Sequence, residues 1–200
     1  MEDKAMIAAI RPFSLERIEI AVEKVRQRLL RAAAALRAAK VPYAVAGGNA
    51  VALWVSRVDE AVVRNTQDVD VLLRRQDFGA AKTALESAGF VYRHLAGIDA
   101  FLDGPAAKPR QAVRIIFANE KVRPDEPLPN PDVNESEDAG LFNVISLNAL
   151  VRIKLTAFRD KDRTHLRDMI DVGLLDAGWL AKLPAILADR LRQLLDNPEG

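Results

Sequence analysis

From residue 43 the chain reads Tyr43-Ala44-Val45-Ala46-Gly47-Gly48-Asn49, and from residue 64 it reads Arg64-Asn65-Thr66-Gln67-Asp68-Val69-Asp70-Val71-Leu72-Leu73. The first segment is an apolar run that ends in a glycine pair, which is typical of a strand followed by a tight turn. The second segment enters an apolar strand that carries two carboxylates one residue apart. Because side chains at positions i and i+2 of a strand share a face, Asp68 and Asp70 are predicted to face one point in space.

The composition favours a single domain, or one domain with a small extension. Half of the 200 residues are apolar, so the chain can bury a core. The chain has 29 Lys and Arg and 28 Asp and Glu, which gives a formal net charge of +1. This charge does not support nucleic-acid binding, although such binding stays possible. Cysteine is absent, which excludes disulfides and thiolate metal sites. The two histidines, His94 and His165, are too far apart in sequence to suggest a zinc site or a histidine base.

The N-terminus gives no sign of a targeting segment. Met1-Glu2-Asp3-Lys4 lacks the basic start and long apolar run of a signal peptide. No stretch approaches the roughly 18 continuous apolar residues of a membrane span. We therefore expect a soluble cytoplasmic protein without membrane association, and the Ala-, Arg- and Leu-rich composition is typical of a GC-rich bacterial gene.

Apolar spacing and turn residues predict helices and strands along the chain. Ser14 is a suitable N-cap for a long amphipathic helix that runs to about Lys40. Asp162 is a suitable N-cap for a later helix that runs to about Val172. The other predicted helices span 49–57, 77–88, 146–158 and the residues after Pro184. The predicted strands span 43–46, 68–73, 90–94, 98–102, 112–117 and 142–145.

Residues 118–140 differ in composition from the rest of the chain. They contain four prolines and an excess of acidic residues, and are predicted to form an irregular, largely extended loop that is either functional or a solvated connection. The order of elements predicts a mixed sheet flanked by helices in residues 1–145, including the N-terminal helix 14–40. Residues 146–200 are predicted to form a C-terminal helical portion packed on this core, which makes the fold α+β.

The glycine pair and the two aspartates suit the binding of a metal-bound triphosphate. Gly47 and Gly48 allow the backbone to approach a phosphate without a Cβ in the way, and the following helix offers its N-terminal N–H groups. Asn49 can add a side-chain contact to a phosphate or sugar. Magnesium binds through one or two carboxylates together with phosphates, which matches Asp68 and Asp70. Either motif alone is more often an ordinary turn or strand end, so the prediction depends on their combination.

The combined pattern resembles the nucleotidyltransferase superfamily that includes DNA polymerase β, whose signature is a strand, a glycine turn, a helix and a D-x-D pair on the next strand. It is most similar to bacterial minimal and AbiEii-type toxin nucleotidyltransferases, closely over residues 43–73 and more loosely over 147–155. The resemblance implies a nucleotidyltransferase-like sheet and makes Asp68 and Asp70 the catalytic ligands of Mg²⁺, with Mn²⁺ as an alternative. It also implies the following nucleotide contacts: Gly47 and Gly48 in the turn, and Arg64 and Thr66 in the loop before the acidic strand.

Lys154 lies on the apolar stripe of the helix predicted after Ser146. Its amine either extends to solvent or reaches an anion at the sheet edge, and both alternatives are open. In the resembled families a lysine at this place often contacts a nucleotide phosphate, and a Lys-Asp pair often follows it. The resemblance therefore implies Lys154 as a contact to the nucleotide, with Lys161 and Asp162 as second candidates. For residues 159–168 as a whole, a helix start with a solvated face is the commoner interpretation.

Arg114 is the main departure from the resembled pattern. The superfamily usually supplies a third carboxylate from a later strand, and the apolar frame of residues 113–117 places Arg114 at that position. Arginine cannot bind magnesium, and its charge competes with the metal. Arg114 is therefore a second candidate, as a contact to a phosphate or to an acidic acceptor. The residues that could replace the missing carboxylate are Asp99, Asp103 and Glu120.

The leading functional hypothesis is a Mg²⁺-dependent nucleotidyltransferase that moves NMP from an NTP to an acceptor and releases pyrophosphate. The acceptor could be RNA, a protein side chain or a small molecule such as an aminoglycoside. Because the third carboxylate is missing, a catalytically degenerate nucleotide-binding relative is an alternative. A third hypothesis is an interaction protein such as one half of a toxin–antitoxin pair, since nine Lys and Arg against three Glu between Lys4 and Lys40 could dock a partner protein or RNA.

Overall fold

The computed structural model describes residues 14–95, 97–109 and 111–197, so Lys4 and Arg11 of the predicted basic segment lie outside it. The described residues form six α-helices: α1 (Leu15–Ala38), α2 (Gly47–Ser56), α3 (Phe78–Ser87), α4 (Leu147–Ala157), α5 (Asp160–Asp171) and α6 (Ala185–Asp196). They form seven strands: β1 (Tyr43–Ala46), β2 (Val69–Leu73), β3 (Val91–Leu95), β4 (Ile98–Leu102), β5 (Ala112–Phe117), β6 (Ser136–Asp138) and β7 (Asn143–Ile145). None of these helices is long and apolar enough to cross a membrane.

The seven strands join one mixed sheet in the order β3-β4-β5-β2-β1-β7-β6. β1 pairs antiparallel with β2, so that Ala46 lies opposite Asp70. β2 pairs parallel with β5, so that Asp70 lies opposite Arg114. β1 and β7 are also parallel, whereas β3, β4 and β6 run antiparallel to their partners. This register sets the end of β1, the acidic segment and Arg114 side by side.

Helices cover both faces of the sheet. Successive residues of β1 point to opposite faces, as the period of a strand requires. Tyr43 and Val45 share a core with buried residues of α1 and α3. Ala44 and Ala46 share a second core with buried residues of α2, α4, α5 and α6. The architecture confirms the predicted α+β class, a mixed sheet flanked by helices, while the division of the chain at residue 145 stays a prediction.

Several element boundaries differ from those predicted. α2 begins at Gly47 rather than at Asn49, because the glycine pair itself forms the first turn of the helix. α5 begins at Asp160, with Arg159 at the N-cap position, so Asp162 lies inside the first turn and is not the N-cap. β6 lies within the region that was expected to be an irregular loop, where it pairs with β7.

The rest of that region, residues 118–135, is held in place by ion pairs to three arginines. The pairs join Arg74 to Asp132 at 2.6 Å, Arg75 to Glu120 at 2.6 Å and Arg152 to Glu135 at 2.9 Å. Charge-assisted hydrogen bonds between guanidinium and carboxylate groups fix the relative orientation of the two side chains. These pairs tie both ends of the segment, to the residues that follow β2 and to α4, and the segment contributes to the lining of the cleft described below.

Candidate active site

The glycine turn and the acidic strand are in direct contact. Gly47 has a φ of +63°, and a Cβ added to it would lie 1.9 Å from Oδ2 of Asp70. A Cβ added to Gly48 would lie 2.8 Å from Oγ1 of Thr66. Both positions therefore require glycine, the first for its left-handed backbone and close neighbour, and the second for its close neighbour. The glycine pair forms the N-terminus of α2, where backbone N–H groups lack helical partners.

Asn49 links the same two segments. Its Nδ2 donates a hydrogen bond of 2.7 Å to the backbone oxygen of Asp68. The predicted contact of this amide to a phosphate or sugar stays a prediction, since its nitrogen is bonded to the protein backbone. The bond ties the first turn of α2 to the acidic segment.

The two carboxylates converge on one guanidinium nitrogen. Nη2 of Arg114 lies 2.8 Å from Oδ1 of Asp70 and 3.1 Å from Oδ2 of Asp68. Nε of Arg114 also donates to Oδ1 of Asp70, at 2.8 Å. The predicted orientation of Asp68 and Asp70 toward a single point is thus observed. Arg114, which stands where the resemblance expects a third carboxylate, lies next to Asp70 in the register of the sheet.

The fit of this pair to a divalent cation depends on Arg114. Two convergent carboxylates form a suitable oxygen donor set for Mg²⁺ when phosphates complete the coordination. In the structure the carboxylate pair already holds a cation, the guanidinium of Arg114. The residues therefore fit a divalent ion only when Arg114 has left them.

A third carboxylate does not join this pair. Among the described residues no group of three acidic or histidine side chains is arranged to hold a metal ion. The residues that sequence analysis proposed as replacements are engaged elsewhere: Asp99 with His94 and Tyr92, Asp103 with Arg28 and Arg31, and Glu120 with Arg75.

Lys154 is buried and paired. The residue is 4% exposed, and its Nζ lies 2.9 Å from Oδ1 of Asp162, whose side chain is 1% exposed. The alternative in which its amine extends to solvent is therefore wrong. In the run 159–168, for which a helix start with a solvated face was the commoner interpretation, residues 159–161 are exposed but Asp162 is buried. Nε of Arg159 donates to the other oxygen of Asp162, Oδ2, at 2.7 Å. One carboxylate is thus shared by two basic side chains, from α4 and from the start of α5.

Burial and charge act in opposite directions on this cluster. Burial lowers the pKa of Lys154 below its ordinary value, although the Asp162 carboxylate opposes the shift. Burial alone would raise the pKa of Asp162, but the charge of Lys154 and the hydrogen bonds from Arg159 and Lys154 lower it overall. The charge of Asp70 acts to raise the pKa of both Lys154 and Arg159, so this cluster and the acidic pair interact electrostatically.

A cleft of about 300 Å³ connects the two groups of residues. Its lining includes Gly47, Asp70, Arg114, Lys154, Arg159 and Asp162. Other predicted site residues lie outside this lining. Arg64 pairs with Asp168 of α5, with Nε 2.7 Å from Oδ2, and Lys161 is exposed at the start of α5. Gly48, Thr66 and Asp68 are not part of the lining either, although Asp68 shares the lining residue Arg114 with Asp70.

Sequence reasoning missed two features of the cleft. Arg159 was part of a charged run that was interpreted as a helix start, and only its pairing with buried Asp162 distinguishes it. The second feature lies where β3 meets β4, where Oδ1 of Asp99 accepts from the hydroxyl of Tyr92 at 2.7 Å and lies 2.8 Å from Nδ1 of His94. Strand alternation could have paired these residues only if the register of the hairpin had been known.

Neither a protein-family model nor a curated protein matches the sequence. Solved structures do share its fold. An antigenic nucleotidyltransferase-like protein from Paracoccidioides brasiliensis superposes with a TM-score of 0.56 at 18% identity, covering 90% of this chain and 91% of that one. The antibiotic-resistance factor ANT(2'')-Ia superposes with a TM-score of 0.51 at 16% identity, covering 86% of this chain and 92% of that one. The chain therefore has a nucleotidyltransferase-like fold, as predicted, while the similarity to AbiEii-type proteins stays a prediction.

Proposed function

We propose that the cleft binds a nucleoside triphosphate and that the chain transfers its nucleoside monophosphate to an acceptor. The observation that supports this most is the contact between Gly47 and Asp70. It places a glycine turn, with no side chain in the way, beside a carboxylate pair at the N-terminus of α2. Oriented N–H groups of a helix N-terminus bind phosphate. In the transfer, an acceptor oxygen bonds to the α-phosphorus and the bond between that phosphorus and the α,β-bridging oxygen breaks. Pyrophosphate leaves with the bridging oxygen, and the proton of the acceptor hydroxyl passes to water.

The residues around the cleft take separate roles in this proposal. The turn at Gly47 and Gly48 binds and orients the β- and γ-phosphates. Lys154 and Arg159 add positive charge to the lining of the cleft, where their shared carboxylate, Asp162, holds them in place. Asp68 and Asp70, once released by Arg114, are the residues that would hold Mg²⁺ or Mn²⁺. Such an ion, when bound, neutralises phosphate charge and makes the attacking hydroxyl more acidic.

A second candidate function is nucleotide binding without transfer. It is favoured by one observation, the ion pairs from Arg114 to both aspartates, because an arginine at this position cannot replace a third carboxylate as a metal ligand. The acceptor remains open under the first candidate among RNA, a protein side chain and a small molecule such as an aminoglycoside. The similarity to AbiEii-type enzymes and a cytoplasmic location belong to the first candidate. An interaction protein with an antitoxin-like partner stays a separate alternative.

Calorimetry and label transfer separate the two candidates. The chain is titrated with ATP, GTP, CTP and UTP, and is then incubated with each α-³²P-labelled nucleotide, Mg²⁺ and separate RNA, protein and aminoglycoside acceptors. Binding with transfer supports the first candidate, binding without transfer to any of these acceptors supports the second, and no binding overturns both.

The site assignment is tested by a double variant, Asp68→Asn with Asp70→Asn. It should lower label transfer by at least about a hundredfold, because the stabilisation that a metal gives the transition state amounts to several kcal/mol. A matched control replaces Asp171 and Asp196, which are exposed on α5 and α6, by Asn. Circular dichroism checks that each variant is folded, and undiminished transfer by the folded site variant contradicts the assignment.

A further inference from the structure

Arg114 is held by the aspartates but is not enclosed by the fold. Its side chain is 34% exposed, against 20% for Asp68 and 11% for Asp70. Within the described part of the chain, its guanidinium bonds only to these two carboxylates. On the β4 side its cross-strand neighbour is Ala100, a small residue. The arginine can therefore change partners without disturbing a larger network.

The ion pairs have an electrostatic reason. Two carboxylates that converge on one point repel each other, and a cation between them offsets that repulsion. The Arg114 guanidinium supplies that cation in the described state. A divalent ion that binds the same oxygens must displace it, so its apparent affinity is lowered by the fraction of time that the pair is released.

The cleft offers Arg114 a second partner. Arg114 and Gly47 both line it, so a triphosphate held by the glycine turn lies in the space that the guanidinium borders. Arginine binds phosphate through parallel N–H···O bonds, which match its planar fork as well as a carboxylate does. A triphosphate also carries more negative charge than the two aspartates together, so it competes effectively for the guanidinium.

We propose that Arg114 exchanges partners when a nucleotide binds. In the nucleotide-free chain it holds Asp68 and Asp70 and excludes divalent cations, and a bound triphosphate draws it away and releases the carboxylates. This inference rests on the proposed function, since it takes the ligand of the cleft to be a nucleoside triphosphate. It assigns an order to binding, with the triphosphate first and the divalent ion second.

Binding of Mn²⁺ in the absence of nucleotide tests the exclusion. The signal of unbound Mn²⁺ in electron paramagnetic resonance gives the affinity of the wild type, of Arg114→Met and of Arg114→Ala. If the pair is released about one-tenth of the time, the variants bind Mn²⁺ about tenfold more tightly than the wild type. Adding Asp70→Asn to Arg114→Met should remove the gain. Equal affinities in wild type and variants would overturn the proposal.

The control is Arg192→Met, which removes an arginine from an exposed ion pair with Asp189 on α6. It should leave the Mn²⁺ affinity at the wild-type value. A gain as large as that of the Arg114 variants would show that loss of any arginine has this effect, which also overturns the proposal.

The exchange itself is tested on the wild-type chain, so it does not depend on a variant that folds. In ¹H–¹⁵N spectra the Arg114 Nε–Hε signal is assigned as the one missing from Arg114→Lys. ATP, GTP, CTP and UTP are then added separately in the presence of EDTA. The Arg114 signal should shift with the nucleotide that binds, whereas amide signals of α2 that move while it stays unchanged would contradict the exchange.

The two proposals fail in different ways. If none of the nucleotides moves any signal, the proposed function is wrong, and the exchange falls with it. If amide signals at the glycine turn move and labelled nucleotide is transferred, but Arg114 keeps its signal and the Mn²⁺ affinities are equal, the proposed function stands and the exchange alone is wrong.

Discussion

A methyl group on Gly47 would overlap Oδ2 of Asp70, at a distance of only 1.9 Å. The contact arises because β1 and β2 are antiparallel neighbours, with Ala46 opposite Asp70 at the point where β1 ends. The turn and the acidic strand are therefore packed against each other, so a substitution in either one alters the position of the other.

Replacement of Gly47 by Ala should destabilise the fold and weaken nucleotide binding together. The left-handed backbone at this position costs an L-residue roughly 1–2 kcal/mol, and the overlap with Asp70 adds to that cost. Urea denaturation gives the change in the free energy of unfolding, and calorimetry gives the change in nucleotide affinity.

Gly79 is the matched control, because it lies in α3 with no atom within 4 Å of an added Cβ. Gly79→Ala should stabilise the chain by about 0.5–1 kcal/mol, since alanine restricts the unfolded backbone more than glycine does. Equal stability of Gly47→Ala and the wild type would show that the turn does not have the described geometry.

The buried pair of Lys154 and Asp162 should show strong energetic coupling. Lys154→Met removes one partner of a pair whose side chains are 5% and 1% exposed. Leaving a buried charge unpaired costs about 3–5 kcal/mol, and the lower end applies here because Arg159 continues to bind Asp162. A double-mutant cycle with Asp162→Asn, measured by urea denaturation, isolates the coupling between the two side chains.

The exposed pair of Arg192 and Asp189 provides the comparison, with side chains 52% and 62% exposed. Its cycle should give a coupling of about 0–1 kcal/mol, the usual range for a surface pair. If the two cycles give similar couplings, Lys154 and Asp162 are not buried together in solution.

His165 should make the stability of the fold depend on pH. Burial, together with repulsion from Lys154 and Lys161, lowers its pKa to about 4 from an ordinary value of 6.5. Between these two values the unfolded chain binds more protons than the folded chain, so the free energy of unfolding falls as the pH is lowered. The loss reaches about 3 kcal/mol by pH 4, since each pKa unit corresponds to 1.36 kcal/mol.

Urea denaturation at intervals from pH 7 to pH 4.5 measures this slope. His165→Phe should remove most of it, because the residue that takes up the proton in the unfolded chain is gone. A slope that is the same in the variant and in the wild type would assign the pH dependence to other groups.

Much of the fold could be predicted from local patterns. The apolar run of β1, the glycine pair and the alternation of Asp68 and Asp70 all depend on residues close in sequence, where propensity and strand period apply. Arg114 was singled out through the resemblance, which expects a third carboxylate at its position, whereas its contact with Asp70 spans 44 residues and depends on the pairing of two strands.

Ion-pair partners could not be predicted in the same way. Arg64 contacts Asp168, and the buried Arg28 contacts Asp103, across separations of 104 and 75 residues. A charged side chain carries no local signal for which distant carboxylate it meets, since that choice depends on how the helices pack on the sheet. Asp162 was interpreted as a helix cap although its partner Lys154 is only 8 residues away, because their contact depends on how α5 packs against α4.

The parallel pairing of β2 with β5 has a consequence for the kinetics of folding. Residues 74–111 separate the two strands and contain α3, β3 and β4, so the ladder between β2 and β5 closes a long loop. Such contacts form slowly, because the entropy of loop closure is lost before the contacts stabilise the chain. We therefore expect Asp70 and Arg114 to meet late, so that the aspartates of a chain that is still folding are exposed to any divalent cation in the solution.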